Sequence, residues 1–151
     1  MNYMIANSAL PPTTQKGLDM ARKMEQAALA RPQVAIETEH LLHGSVYTRT
    51  IRVPAMVMIT GALIRIPTTL TVSGKATIIF GDNDEVVVDG FGVFPASAGR
   101  KQVFVAHTDT FISMSFKTNA TSVREAEEEF TDEGHMLKSR DGKNNVVVTE
   151  E

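Results

Sequence analysis

The sequence predicts a mainly β protein, an antiparallel sandwich or small barrel, with an N-terminal helix and a short C-terminal helix. Between residues 46 and 116, eight short runs rich in Val, Ile, Thr and Phe are divided by turn residues, with no helical period between them. Strands linked this closely pair antiparallel rather than through helical crossovers. On either side of that stretch, residues 13–31 and 122–130 carry apolar side chains at helical spacing.

In chain order, residues 1–12 mix Tyr3, Met4, Ile5 and Leu10 with Asn7, Ser8, Pro11 and Pro12, which suits neither period and reads as an extended arm. From Thr13 or Thr14, Leu18, Ala21, Met24 and Ala28 recur along one face until Pro32, a helix of about four turns. Its stripe is narrow and small, suited to resting on a surface. The predicted strands are 46–53, 56–64, 69–73, 76–80, 85–88, 92–94, 102–106 and 111–116. Gly81, Asp82, Asn83 and Asp84 suit a hairpin turn, because these residues tolerate positive φ. Alternation turns Ile112, Met114 and Phe116 inward and Ser113 and Ser115 outward, and sends Arg49 and Arg52 to opposite faces.

Ser122 and Glu125 make a capping box for the closing helix, and Val123, Ala126 and Phe130 form its apolar stripe. Its acidic residues Glu125, Glu127, Glu128 and Glu129 read as a solvated face. The last residues are polar apart from Val146, Val147 and Val148, which read as a strand added to a neighbour or a frayed tail. The expected organisation is an arm and helix over 1–37, a β domain with closing helix over 38–133, and a tail over 134–151.

A length of 151 residues suits one domain with a real core. The net charge of -3 is too small to hold nucleic acid by electrostatics. With no cysteine, thiol catalysis, disulfides, zinc ribbons and iron–sulfur centres are excluded. No run approaches the ~20 apolar residues of a membrane span, so a soluble protein made in the cytoplasm is expected.

Four histidines offer chemistry. His40 and His43 could share a face of a helical turn, but two ligands do not make a zinc site; a polar turn before the first strand is the expected reading. His107, next but one to Asp109, has the spacing of an oriented base, yet no nucleophile motif accompanies it, and a turn held by Thr108 and Asp109 is preferred. Gly90, Gly92 and Gly99 precede no helix and so form no phosphate loop. Arg49, Arg52, Arg65, Arg100 and Lys101 each read as ordinary solvated charges.

Two stretches resemble the cupin pattern. Leu70-Thr71-Val72-Ser73-Gly74 is similar to the end of the first cupin motif, and Val93-Phe94-Pro95 to the strand entering the second. The resemblance implies a jelly-roll fold and a metal held by two histidines, a glutamate and a third histidine. In this register those positions hold Thr60 and Ala62 (or Gly61 and Leu63), Pro67 and Arg100, none of which ligates a metal as the family does. The expectation is a chain with no cofactor or metal and no catalytic residues, not an enzyme.

The stretch 39–133 also resembles short cupin-like proteins of tailed bacteriophages. The likeness rests on Glu39-His40-Leu41-Leu42-His43-Gly44, Tyr47-Thr48-Arg49, the run from Pro95 to Lys101, the run from Ala106 to Thr110, and the glutamate-rich helix. Some members hold a histidine pair near the positions of Ile64, Arg65 and Thr69. The resemblance implies a non-enzymatic virion component: capsid decoration, head–tail joining or fibre anchoring. Its partners would be itself, as a homo-oligomer, and other virion proteins, with neither nucleic acid nor membrane. Tyr3, Ile5, Leu10, Leu18, Met24, Val146, Val147 and Val148 are the contact residues expected for that role. The alternative is a small-ligand or carbohydrate-binding module with Arg49, Arg65 and His107 at the barrel mouth, and a third reading is a metal-dependent cupin enzyme using His40, His43 and His107. A barrel packed shut by Met56, Met58, Ile78 and Phe111 would oppose the ligand-binding alternative.

Overall fold

The computed structural model describes residues 2–5, 9–81, 83–137 and 142–151, with side chains from residue 9 onward. The elements are β1 (Asn2–Ile5), α1 (Gln15–Leu29), β2 (Glu37–His43), β3 (Val46–Val53), β4 (Met58–Thr60), β5 (Thr68–Gly81), β6 (Asp84–Ala96), β7 (Val103–Ala106), β8 (Thr110–Lys117), α2 (Val123–Phe130) and β9 (Asn144–Val148). A single 3-10 turn, Gly134–Met136, follows α2.

A long hairpin, β5 with β6, is the spine. Four runs predicted as separate strands are continuous here, because Gly74 and Gly90 stand opposite each other and bend the ladder without ending it. They take φ of 133° and 114°, which a side chain rarely allows. At Gly74 a Cβ would also sit 2.7 Å from Thr110 Oγ1 and 2.8 Å from the Asp109 carbonyl oxygen. Past this bend β5 changes neighbour, from β8 along Thr69 to Ser73 to β7 along Ala76 to Ile79. Gly81 pairs with Asp84 at the hairpin tip, where Asn83 has a φ of 63°, as the turn chemistry requires; Asp82 lies outside the described residues.

The sheet order is β1-β6-β5-β8-β3-β2-β9, with β4 joined through β7. The bent spine curls this sheet into a cupin-like jelly roll, mainly β, with the two expected helices. Its inward side chains form two clusters, one around Val53, Val72, Ile78 and Phe94, the other around Tyr47, Met114, Phe116 and Phe130. On β8 the burial alternates as predicted, with Ile112, Met114 and Phe116 inside. On the outer face Thr48 and Thr50 bond Ser115 and Ser113 across strands at 3.0 and 2.7 Å.

Three expectations need correction. The predicted strand 56–64 shrinks to β4, because Met56 takes a φ of 69° in a turn. The region of His40 and His43 is strand β2, so residues three apart face opposite ways: His40 is buried and His43 exposed. Third, arm and tail find partners within this chain. β1 runs parallel to β6 and β9 parallel to β2. Leu10 is 7% exposed in the core, and its backbone bonds Pro95 and Ser97.

Both helices start where their caps predict. Thr14 accepts the Gly17 N–H at 3.1 Å, and α1 buries Gly17 and Ala21 against the barrel. Ser122 accepts the Glu125 N–H at 3.2 Å, while the Glu125 carboxylate takes the N–H of Thr121 at 3.0 Å, one residue before the usual capping-box partner.

Candidate functional site

Inward positions on facing strands leave a cavity of about 610 Å³ between the two clusters. Register explains its wall. Arg49 and Ile51 on β3 lie opposite Met114 and Ile112 on β8, and Leu70 on β5 lies opposite Met114. These five line one side; Thr60, Gly61, Ala62, Arg100, Gln102 and Phe104 line another. The end of α1, residues 31–34, Ile36 and Phe130 close much of the rest. Leu29, Val34, Met56, Met58 and Met136 stand exposed around the mouth, a group of large apolar side chains on one rim. The barrel is therefore not packed shut: Ile78 belongs to the core, Met56 and Met58 to the rim, and Phe111 faces outward.

Charge inside the barrel is arranged in pairs, with one exception. Arg49 Nη1 donates to Glu127 Oε2 at 3.2 Å, and its guanidinium lies 5.8 Å from the Phe130 ring centre. Glu127 was expected on a solvated face; it is 3% exposed and turned into the barrel. Lys101 Nζ donates to Glu25 Oε2 and to the Gly61 carbonyl, each at 2.8 Å, and lies 3.4 Å from Glu133 Oε2, which ties α1 and the end of α2 to the barrel. Arg100 has no carboxylate partner among the described residues. Its Nη atoms donate to neutral acceptors, Ser97 O at 2.9 Å and Thr68 Oγ1 at 2.5 Å, with longer contacts to Ile66 O and Met114 Sδ. Burial pushes its pKa down to about 10. Arg100 Nε and Gln102 Nε2 are buried donors without a hydrogen-bond partner.

Arg49, Arg100 and Lys101, read from sequence as solvated, are thus interior residues. Of the pocket expected from Arg49, Arg65 and His107, only Arg49 reaches the cavity. Arg65 donates to the Glu128 and Glu129 carbonyls and pairs with Asp132 at the end of α2. His107 lies exposed in the β7–β8 turn, 2.8 Å from Thr77 Oγ1, and that turn is held by Thr108 and Asp109 accepting the N–H groups of Lys75 and Ala55. Leu18 and Met24 are half-buried on α1, and Val146, Val147 and Val148 are about half exposed on β9. The side chains of Tyr3 and Ile5 lie outside the described residues.

Of the positions assigned to the cupin metal, Thr60, Gly61, Ala62 and Arg100 line the cavity, while Leu63 and Pro67 do not. These positions do not fit a metal. The wall's one carboxylate, Glu25, already holds Lys101, and among the described residues no three His, Asp or Glu side chains are grouped to ligate an ion.

His40 is the buried histidine, and it fastens β9. Its Nε2 donates to Asn144 Oδ1 at 2.6 Å, leaving Nδ1 to accept the Tyr47 hydroxyl at 2.7 Å. Burial lowers the His40 pKa below 6.5, and burial raises that of Tyr47 to about 12. A histidine whose folded pKa is depressed binds protons more readily in the unfolded chain. Its stabilising contribution is complete above 6.5 and is lost as pH falls through the folded value. Thermal unfolding of the wild type is therefore expected at lower temperature at pH 5.5 than at pH 7.5. In His40→Gln the difference between the two pH values should shrink; an unchanged difference would remove His40 as its cause.

No protein-family model and no curated protein matches the sequence. Solved structures of similar fold include a cupin superfamily protein from Desulfitobacterium hafniense, at 13% identity and TM-score 0.48, covering 74% of this chain and 97% of that one. A salicylate 1,2-dioxygenase from Pseudoaminobacter salicylatoxidans matches at 12% identity and TM-score 0.46, over 75% of this chain. This chain spans 35% of that dioxygenase. The Clostridium difficile EutQ protein matches at 14% identity and TM-score 0.46, over 64% of this chain and 73% of that one. These likenesses concern the fold. They also correct the expectation that the chain is not an enzyme, since a salicylate 1,2-dioxygenase is among the structures of similar fold.

Proposed function

We propose that this chain is a binding module of the cupin-like class that takes a small, largely apolar organic molecule into its barrel. The observation that carries the reading is the cavity of about 610 Å³, walled by apolar side chains with a few buried polar groups and opening at an apolar rim. Size and lining both match the sites that enclose small ligands. Three methionines at the mouth, Met56, Met58 and Met136, supply side chains that adapt to the shape of what enters.

The neutral dye N-phenyl-1-naphthylamine tests the reading through its rise in fluorescence in apolar surroundings. Saturable binding of about one dye per chain is expected. Ala62→Phe, which fills the cavity from its wall, should weaken binding by about tenfold or more while circular dichroism stays unchanged. A folded Ala62→Phe protein that binds dye as the wild type does would place the site elsewhere.

A second reading, contact with other copies or other proteins in an assembly, is favoured by the β9 edge. Val146, Val147 and Val148 stand about half exposed there, near the outward-facing Leu41. Light scattering that returns a monomer at high concentration would remove self-association. No named similarity points to a phage particle.

A further inference from the structure

The charges of the barrel are unevenly paired. Arg49 is matched by Glu127, and Lys101 by Glu25 and Glu133. Arg100 is 2% exposed and has only neutral acceptors, so one positive charge in the cavity wall is left without a counter-charge among the described residues. A cation taken out of water in this way is unfavourable until an anion or a dense set of acceptors surrounds it. The acceptor set is incomplete, because Nε has no partner.

A second side chain in the same wall shows the same deficiency. Gln102 is 4% exposed, and its Nε2 is also a donor with nothing to receive its hydrogens. Buried polar atoms in folded proteins are nearly always partnered, and those that are not call for an explanation. Here two unpartnered donors belong to residues two apart in sequence, both lining the cavity, while Lys101 between them is not in its wall. A guanidinium has donors and no acceptor, so an acceptor is the group that completes both.

We infer that the cavity is built for a monoanionic organic acid, whose carboxylate is received by the Arg100 guanidinium and the Gln102 amide and whose apolar body extends toward the methionine-bearing rim. The inference rests on the ligand-binding reading above. A single guanidinium without an ion pair suits a single carboxylate, since the second charge of a dianion would meet no further unpaired cation among the described residues of the wall. The carboxylate also supplies charge-assisted bonds, which are stronger than those to a neutral carbonyl. The rim residues Leu29, Val34, Met56, Met58 and Met136 suit an aliphatic or aromatic remainder. An amine would face the buried Arg100 cation, which donates and cannot accept, and is rejected.

Octanoate, octanamide and octylammonium share a chain and differ in the head group, so they separate head-group recognition from burial. Each is titrated calorimetrically into the full-length wild type, and N-phenyl-1-naphthylamine reports separately on the cavity. Octanoate should bind about tenfold tighter than octanamide, and octylammonium weakest. In Arg100→Met the octanoate-to-octanamide ratio should fall toward one, and Gln102→Leu should lower it by a smaller factor. Arg52→Met, which changes an exposed residue on the outer face, should leave the ratio as it is. Equal affinity of wild type for octanoate and octanamide, with the dye still bound, overturns the acid specificity and leaves the pocket standing. That comparison needs no variant and so survives any folding defect in Arg100→Met. Failure of the dye and all three ligands to bind overturns the pocket and the inference together.

Discussion

Glu127→Ala is expected to lower the unfolding free energy by about 3–5 kcal/mol, because it leaves the Arg49 guanidinium buried without its partner. The side chains of the pair are 10% and 4% exposed, too little for water to take over the lost contact. Much of the effect lies in the charge left behind and not in the bond removed. The double variant Arg49→Met, Glu127→Leu should accordingly recover most of the loss, since an apolar pair of similar volume avoids desolvating either ion. Urea denaturation of the wild type, both single variants and the double variant completes the cycle. A loss below about 1 kcal/mol in Glu127→Ala would mean that water or another group already serves Arg49.

Phe130→Ala should cost about 3–5 kcal/mol, the range for removing a fully buried aromatic ring. Phe130 is 1% exposed, packs edge-on to Phe116 at 6.0 Å and parallel to Tyr47 at 6.4 Å between ring centres, and lies under Arg49. Its ring also forms part of the cavity wall, so truncation enlarges an existing space that the surrounding β-strands cannot collapse to fill. Val148→Ala on the exposed β9 edge, by contrast, should change stability by less than about 0.5 kcal/mol. Thermal and urea melts of the two variants give the comparison, and near-equal losses would contradict the described packing of α2.

The parts of the fold legible in the sequence are those where one short stretch carries its own signal. β8 was readable because apolar and polar residues alternate, β3 because it is rich in Val, Ile and Thr, and both helices because Thr14 and Ser122 cap a 3.6-residue period. β2 was not, for a physical reason: its buried positions are Thr38, His40 and Leu42, while Leu41 faces out. Two of its three inward residues are polar, so the alternation is real but invisible to hydrophobicity. β1 escaped, and β9 was read as a strand or frayed tail without its partner in this chain, because each pairs in parallel with a strand some ninety or a hundred residues distant.

For the cavity, four positions of the cupin register, Thr60, Gly61, Ala62 and Arg100, lie in the wall, whereas the pocket expected from Arg49, Arg65 and His107 keeps only Arg49. Local pattern settles strands such as β8 and the capped helix ends, since these depend on neighbours a few positions apart. Whether a charge is inside or outside depends on partners it meets only after folding. Arg49 finds Glu127 across 78 positions and Lys101 finds Glu25 across 76, so three basic residues and a glutamate that look solvated in sequence become the interior of the barrel. Tertiary structure alone decided that Arg100 would be left without a carboxylate among the described residues, and the proposed ligand follows from that missing partner.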